Sequence, residues 1–242
     1  MKSFTIEVVA TSVDSCIQAQ KGGARRIELC SALSTSGITP SSGLIQIAKQ
    51  YVTIPIYVMI RPREGDFCYS RNELEVMKRD IENAKVMGAD GIVFGVLDEE
   101  GKVNETVTKK LVELSNPMPV TFHRAIDITP NMFDALESII QSGCVRILTS
   151  GGKATGPEGI SRILELNEKA DERILIMPGG GITPETFPKM LHAGIRDYHL
   201  SGRKPHKGTL PTTLFDMDWA ETSSESIKQV VDQAKDFFRD LH

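Results

Sequence analysis

Residues 146–181, RILTSGGKATGPEGISRILELNEKADERILIMPGGG, are the clearest indication of the fold class of this chain. It contains two short apolar runs, Arg146–Thr149 and Ile174–Met177, with an amphipathic stretch of helical character between them at 157–170. Glycines follow each run, and Pro157 stands in the first turn of the expected helix, where a missing amide hydrogen is tolerated. A strand, a helix and a second strand in this order predict a βαβ unit with parallel strands.

The same alternation fills the rest of the chain. Eight strands are expected, at Thr5–Val9, Arg26–Cys30, Pro55–Ile60, Gly91–Gly95, Val120–His123, Arg146–Thr149, Ile174–Met177 and Asp197–Leu200. Helical stretches lie near 12–20, 41–50, 73–87, 104–115, 131–141, 157–170 and 184–193, with a last one at 224–241. Eight β-then-α units in 242 residues match a single (β/α)8 TIM barrel. An open doubly wound sheet is the alternative, but no GxGxxG turn follows the first strand.

We expect one domain over residues 1–242. Its one irregular piece is a long loop at 203–223, which contains the only tryptophan, Trp219. A loop of this length in a compact domain is usually functional or an oligomer contact. It precedes the C-terminal helix at 224–241.

Composition limits the kinds of binding partner and the cellular compartment that are expected for this chain. Lys and Arg number 28 against 32 Asp and Glu, so the chain has no basic excess to meet nucleic acid or an anionic membrane. The most apolar stretch, Tyr51–Ile60, is about half the length that spans a bilayer. The four cysteines are widely spaced without a CxxC pair, and the N-terminus does not resemble a signal peptide. We therefore expect a cytoplasmic protein with reduced thiols.

Strand parity predicts which side chains face the barrel interior. In the second strand Ile27 and Leu29 share the face expected to meet the helices, so the opposite face points inward. Applied to the other strands, this parity gives a polar interior with Glu7, Glu28, Arg61, His123, His199 and Arg26. Arg26 begins its strand, so we expect it at the opposite end from the mouth, paired with a carboxylate. The remaining groups are costly to bury unless they are paired or used.

Several of these residues fall at the C-terminal ends of strands, where barrel active sites are built. His123 is a candidate general acid or base, and Arg61 would neutralise charge on an oxygen. Glu7 or Glu28 would orient the histidine or share its protons, and Asp127 would fix His123 or Arg124. The candidate catalytic set is Glu7, Glu28, Arg61, His123 and Asp127.

Glycine-rich loops follow the sixth, seventh and eighth strands. Backbone amides in such loops can cradle an anion, and the loops after strands seven and eight are the usual phosphate site of this fold. The candidate anion-binding residues are Ser150, Gly151, Gly179, Gly180, Gly181, Ser201 and Gly202. The alternative is that these glycines only permit tight turns.

Five motifs resemble those of the CutC copper-homeostasis family. They are RIELC at 26–30, MIRPR at 59–63 followed by GDF at 65–67, TFHRAID at 121–127, LTSG at 148–151 and MPGGGI at 177–182. The resemblance runs in order from about Glu7 to Ser201. It implies a TIM barrel, a cytosolic protein linked to copper handling, copper(I) as the ligand and a homo-oligomer. The family positions present here are Glu7, Glu28, Cys30, Arg61, Asp66, His123, Asp127 and Ser150.

The chain departs from the family pattern in two places. Glu64 stands where the family often has glycine, and no family pattern follows Ser201. The third loop is therefore expected to be stiffer and more acidic than in the family. The long loop and the final helix have no support from the resemblance.

Three functions remain open. The first is copper(I) binding, with Cys30 and Cys68 as metal ligands at the mouth near His123, because copper(I) prefers thiolate and imidazole. The alternative is an enzyme, a lyase, isomerase or hydrolase, acting on a small phosphorylated or carboxylated substrate. A third is a scaffold that binds a partner protein through 203–223. Self-association of this chain as a dimer is the simpler version of that function. No organic cofactor, nucleic acid or membrane partner is expected.

Overall fold

The computed structural model describes residues 4–206 and 219–240. The strands in these ranges are β1 (Thr5–Ala10), β2 (Arg26–Leu29), β3 (Ile56–Met59), β4 (Gly91–Phe94), β5 (Val120–Phe122), β6 (Arg146–Thr149), β7 (Leu175–Pro178), β8 (Asp197–Leu200), β9 (Arg203–His206) and β10 (Trp219–Thr222). The α-helices are α1 (Val13–Lys21), α2 (Ser42–Tyr51), α3 (Arg71–Val86), α4 (Glu105–Ser115), α5 (Met132–Gln141), α6 (Ile160–Ala170) and α7 (Ser224–Asp240). Short 3₁₀ helices lie at Leu33–Thr35, Arg124–Ile128 and Phe187–Lys189.

Strands β1 to β8 form one parallel sheet in the order β7-β6-β5-β4-β3-β2-β1-β8. The two ends of this order, β7 and β8, lie side by side, so the sheet curves into a nearly closed barrel. Helices alternate with the strands along the chain. The TIM barrel predicted from the eight βα units is therefore confirmed.

Local capping determines where several helices begin. The hydroxyl of Ser12 accepts the amide of Ser15 ahead of α1, and Ser41 does the same for Leu44 ahead of α2. Before α3, Ser70 and Glu73 form a reciprocal capping box. Such caps satisfy amides that have no partner within the helix, so these starts are encoded locally.

The core has two layers, one on each face of the sheet. Ile27 and Leu29 of β2 are fully buried in the apolar layer between the strands and the helices. Cys30, Tyr57 and Met59 belong to a separate buried cluster inside the barrel. The inward and outward faces expected from strand parity are the ones observed.

Two elements differ from expectation. A helix is expected near 184–193, but only the 3₁₀ helix Phe187–Lys189 forms there. An α-helix starting at Pro184 would bring the ring of Pro188 against the carbonyl four residues earlier, so it cannot continue. Within 203–223, the described ends are not loop but the antiparallel pair β9–β10.

The partner-binding and self-association roles expected for 203–223 stay predictions. Residues 207–218 and the side chain of Trp219 lie outside the part of the chain that is described. Among the described helices, none combines the length and apolar character needed to cross a bilayer.

Candidate active site

The bottom of the barrel interior is occupied by a network of charged side chains, here called the floor network: Glu7, Arg26, Arg146 and Asp197. Arg26, Arg146 and Asp197 each begin a strand, which places them at the end of the barrel opposite the mouth. Asp197 Oδ2 accepts from Arg26 Nη2 at 2.9 Å and from Arg146 Nε at 2.7 Å. Arg26 also donates to Glu7, as expected for an arginine at this position. The guanidinium groups of both arginines lie over the ring of Tyr57.

Glu7 connects the floor network to His199. Its Oε1 lies 2.7 Å from His199 Nδ1, and its other oxygen accepts from Arg26. Burial opposes the charge of Glu7, but Arg26, His199 and Arg146 together hold its pKa well below the ordinary value. An ionised carboxylate only accepts hydrogen bonds, so the Nδ1 of His199 carries a proton and its Nε2 is directed away from Glu7.

Glu28 is the partner of His199 on the other side. Its Oε2 lies 3.8 Å from His199 Nε2, and its Oε1 is buried with no hydrogen-bond partner among the described residues. Burial raises the pKa of Glu28 to about 7, although His199 opposes this. Burial also disfavours the charged form of His199, but Glu28 and Glu7 outweigh it and raise the pKa of His199. Near neutral pH a proton can therefore reside on either member of this pair.

Glu28 and His199 line a cavity of about 490 Å³ at the C-terminal mouth of the barrel. Its walls are mixed, with Met59, Phe67 and Leu148 as apolar parts. The ionisable residues on its wall are Glu28, Arg61, His123, Arg124, Asp127 and His199. A concave site with a few convergent polar groups is typical of small-molecule binding.

His123 enters this cavity from the end of β5. Its Nδ1 accepts the amide hydrogen of Ala125 at 3.2 Å, so the ring caps the 3₁₀ helix that follows. Its Nε2 is buried without a partner among the described residues. Burial, and then the charge of Arg61, lowers the pKa of His123 to about 3. The ring is thus neutral at physiological pH.

Arg61 lines the cavity but most of its guanidinium binds the neighbouring loops. Nη1 donates to the carbonyls of Thr35 at 2.7 Å and Gly37 at 2.9 Å, and Nη2 to that of Gly65 at 2.7 Å. Its Nε has no hydrogen-bond partner in the described ranges. Arg61 therefore fastens the loops after β2 and β3, and Nε is its one donor without a partner in the described ranges.

Asp127 has a different role from that of an acid or base. Its carboxylate accepts from the amides of Ser150 and Gly152, and from the hydroxyls of Thr149 and Ser150. It also accepts from Arg124 Nε at 2.8 Å. Of the residues after β6 that were expected to cradle an external anion, Ser150 thus donates its amide to this internal carboxylate, and Gly151 donates its amide to the Thr149 hydroxyl. Asp127 fixes Arg124, one of the two roles expected for it.

The remaining glycine loops divide into two groups. Gly180, Gly181 and Ser201 line the cavity, and Arg124 lies against Gly180. Gly180 has a φ of 85°, and a Cβ there would lie 3.1 Å from an Arg124 nitrogen, so glycine permits this approach. The other four candidate anion-binding residues are absent from the cavity wall: Ser150, Gly151, Gly179 and Gly202.

The two candidate sulfur ligands lie behind or beside the cavity rather than on its wall. Cys30 is fully buried in the interior cluster with Met59. Burial, and then the charge of Glu28, raises the pKa of the Cys30 thiol well above its ordinary value. Cys68 is half-buried in the loop after β3, where its amide donates to Asp66. Since copper(I) binds thiolates, the burial of Cys30 works against it as a ligand.

A second group of possible metal ligands is Glu7, Glu28 and His199. One ligand atom of each lies within 4.8 Å of the others. Carboxylate and imidazole donors suit divalent cations, whereas copper(I) prefers sulfur. Both oxygens of Glu7 are already bound, to Arg26 and His199. This cluster does not fit copper(I).

Two residues of the site were not among the candidate catalytic residues. Strand parity assigned His199 to the interior and was the available sequence signal, whereas only the structure shows its register opposite Glu7 in β1. Arg124 follows His123 directly, but only the fold brings it to the loop after β7.

Comparisons with known proteins agree on one family. The model of the CutC family matches residues 4–204. The chain is 49% identical over 201 residues to the human copper homeostasis protein cutC homolog, which covers 83% of this chain and 74% of the human protein. It is 45% identical over 209 residues to a CutC family protein of Bacteroides fragilis, covering 86% and 83% of the two chains. A crystal structure of CutC from Streptococcus agalactiae superposes with a TM-score of 0.78 at 32% identity, covering 82% of this chain and 98% of that one.

Proposed function

This chain belongs to the CutC family, whose relatives are named copper homeostasis proteins, and we propose that its barrel mouth is an enzyme active site. The site transfers protons on a small phosphorylated or carboxylated substrate. Glu28 and His199 are the acid–base pair. Arg124, Gly180, Gly181 and Ser201 form the side of the cavity that receives the anionic group.

One observation carries this proposal. Glu28 lines the cavity, and its Oε1 is buried and unpartnered among the described residues, beside a histidine that Glu7 orients. An unsatisfied buried polar group costs about 1–3 kcal/mol of stability. A substrate that supplies a proton or a donor to this oxygen would offset that cost. Functional carboxyls are commonly held in this way, with a pKa moved toward the working pH.

Charge and backbone geometry support the placement of the substrate's anionic group beside Arg124. Arg124 is 41% exposed in its side chain and points its remaining donors toward the cavity edge near Gly180. Asp127 accepts from its Nε and so holds the guanidinium in place. A guanidinium beside a glycine-rich loop is a suitable receptor for phosphate or carboxylate.

The experiment is a turnover screen of phosphorylated and carboxylated small molecules with the wild type and Glu28→Gln. We expect at least one compound to be converted, and a loss of 10²-fold or more in Glu28→Gln, as is typical for general acid–base groups. Glu82→Gln, on the exposed face of α3, is the matched control and should keep wild-type activity. Equal rates for Glu28→Gln and the control would exclude this role for Glu28.

Copper(I) binding is the second candidate function. It is supported by the names of the relatives and by the proximity of the Cys30 sulfur and the Met59 methyl, both of which lie near Gly37. Cys68 would supply the second thiolate. An anaerobic copper(I) titration against a chromogenic chelator tests it, with Cys144→Ser as control because Cys144 lies before β6 at the opposite end of the barrel. Tight binding that is lost only in Cys30→Ser and Cys68→Ser would favour copper, and failure of the wild type to compete would exclude it.

We also propose a cytoplasmic location. All four cysteines are free thiols in the structure, which suits a reducing compartment. Cell fractionation tests this, and recovery with secreted proteins would contradict it.

A further inference from the structure

Three buried atoms without hydrogen-bond partners belong to residues that line the same cavity. They are Glu28 Oε1, His123 Nε2 and Arg61 Nε, out of seven such side-chain atoms in the described ranges. Native proteins leave few buried polar groups unpaired, so this concentration points to groups that a ligand supplies. Their identities, one carboxyl oxygen and two nitrogens, carry information about that ligand.

The tautomer of His123 follows from its hydrogen bond. Nδ1 accepts the Ala125 amide hydrogen at 3.2 Å, and only an unprotonated ring nitrogen can accept. The neutral ring must then carry its single hydrogen on Nε2, which is the buried and unpartnered atom. His123, a residue of the cavity wall, therefore carries one unpartnered hydrogen-bond donor and has no free basic nitrogen.

Packing on two sides of the His123 ring restricts the flip that would exchange the positions of Nδ1 and Nε2. A Cβ at Gly95 would lie 2.5 Å from His123 Nδ1, so glycine at this position makes the space that the ring occupies. The ring of Phe67 lies on another side, with centroids 4.8 Å apart. A donor fixed in this way is preorganised for an oxygen on the substrate.

A ligand that complements this cavity has an oxygen acceptor next to a group that can lose a proton. The acceptor would meet His123 Nε2–H and the positive charge of Arg61, while the proton would meet Glu28. None of the described residues on the cavity wall is a lysine, so those side chains offer no Schiff-base route to activate a carbonyl. Polarisation of a carbonyl by a neutral histidine is the activation that they do offer.

We propose, resting on the proposed enzyme function, that the substrate is a carbonyl compound with an acidic C–H bond beside the carbonyl. Glu28 takes this proton, and the C–H electron pair becomes the new C=C bond. The carbonyl π electrons move to oxygen, and the resulting enolate oxygen accepts from His123 Nε2–H beside the Arg61 charge. The proton then returns from Glu28 to the same carbon, where the C=C pair re-forms the C–H bond and an oxygen pair re-forms the carbonyl. The step needs no oxidant and no co-reactant, and it fits an isomerase or the first half of a lyase.

The first test needs no substrate. In ¹⁵N-histidine-labelled protein, long-range ¹H–¹⁵N spectra distinguish the two neutral tautomers and the imidazolium, and His123→Gln assigns the signal among the five histidines. We expect the Nε2–H tautomer of His123, unchanged from pH 5 to pH 8. An Nδ1–H tautomer, or protonation in this range, would overturn the proposal even if the enzyme is active.

The second test uses the compound that is turned over in the screen, in D₂O. We expect deuterium at the carbon beside its carbonyl. His123→Leu should lower kcat by about 10²–10³, the usual effect of losing one oxyanion donor, while His123→Gln restores part of it through its side-chain N–H. A substrate without such a C–H bond, or full activity in His123→Leu, would overturn the enolate step. Loss of activity in Glu28→Gln would still stand in that case, so the two proposals fail separately.

Discussion

The floor and the mouth of this barrel both bury charged side chains, but the two ends differ in how completely these side chains are paired. In the floor network Asp197 binds two arginines, and Arg26 binds two carboxylates. At the mouth Glu28 and His123 each keep one buried atom unpaired. The floor therefore has the properties of a structural network, whereas the mouth retains unpaired groups at a cost in stability. Burial alone therefore does not mark a site, whereas several unpaired groups gathered around one cavity do.

The largest expected effect comes from breaking the floor network with Asp197→Asn. It would leave Arg26 and Arg146 without the carboxylate that they share. Removing one partner of a buried ion pair typically costs about 3–5 kcal/mol in the free energy of unfolding. Urea unfolding measures this, with Glu137→Gln as control because its pair with Arg173 is exposed and worth about 0–1 kcal/mol. Equal losses in the two variants would contradict the structural role of the floor.

The next effect concerns acid stability and His123. Its pKa is about 3 in the fold and ordinarily 6.5, so below pH 6.5 the unfolded chain takes up a proton that the folded one does not. Stability therefore falls as pH drops from 6.5 toward 3, by about 3 kcal/mol at pH 4. In His123→Gln this part of the loss should vanish, as shown by urea unfolding at pH 7 and pH 4. His192→Gln is the control, and an unchanged acid loss in His123→Gln would contradict the burial of a neutral ring.

A carboxyl-to-amide change at the mouth should have the opposite sign to the one at the floor. The pKa of Glu28 is raised to about 7, so its ionisation destabilises the fold as pH rises from the ordinary value of 4.5 through 7. Glu28→Gln is expected to stabilise the protein by about 1–2 kcal/mol at pH 8, and less at pH 5. Thermal unfolding at both pH values measures this. Destabilisation at pH 8 would mean that the carboxylate is a structural partner like Asp197.

The smallest expected effect on stability is that of Arg124→Lys. Lysine keeps the charge but loses the planar donors that reach Asp127 and Ser150 together. With the compound found in the screen, we expect KM to rise by about 10-fold, since one charge-assisted bond is worth about 1.5–3 kcal/mol. The value of kcat and the unfolding midpoint should change little. A fall in kcat at unchanged KM would place Arg124 with the reacting atoms instead.

Several of these assignments follow from local sequence rules. The alternation of residues in β2 placed Glu28 and Arg26 inside the barrel, because the side-chain period of a strand is fixed by its backbone. The position of Arg26 at the strand start also indicated its carboxylate partner. The helix at 184–193 was wrong, because Pro188 overrides an amphipathic pattern.

Short-range periodicity and turn residues were enough to predict the TIM barrel, its interior face and the loops that surround the mouth. Which polar groups have hydrogen-bond partners depends on contacts between residues that are distant in sequence. Asp127 accepts the amide of Ser150 after β6, and Arg61 donates to loop carbonyls. His199 hydrogen-bonds to Glu7, which is 192 residues away in sequence. Closure of the barrel brings β8 beside β1, and that contact has no local signature. For this reason the sequence predicts which residues face the mouth, and only the fold shows which of them remain free to act.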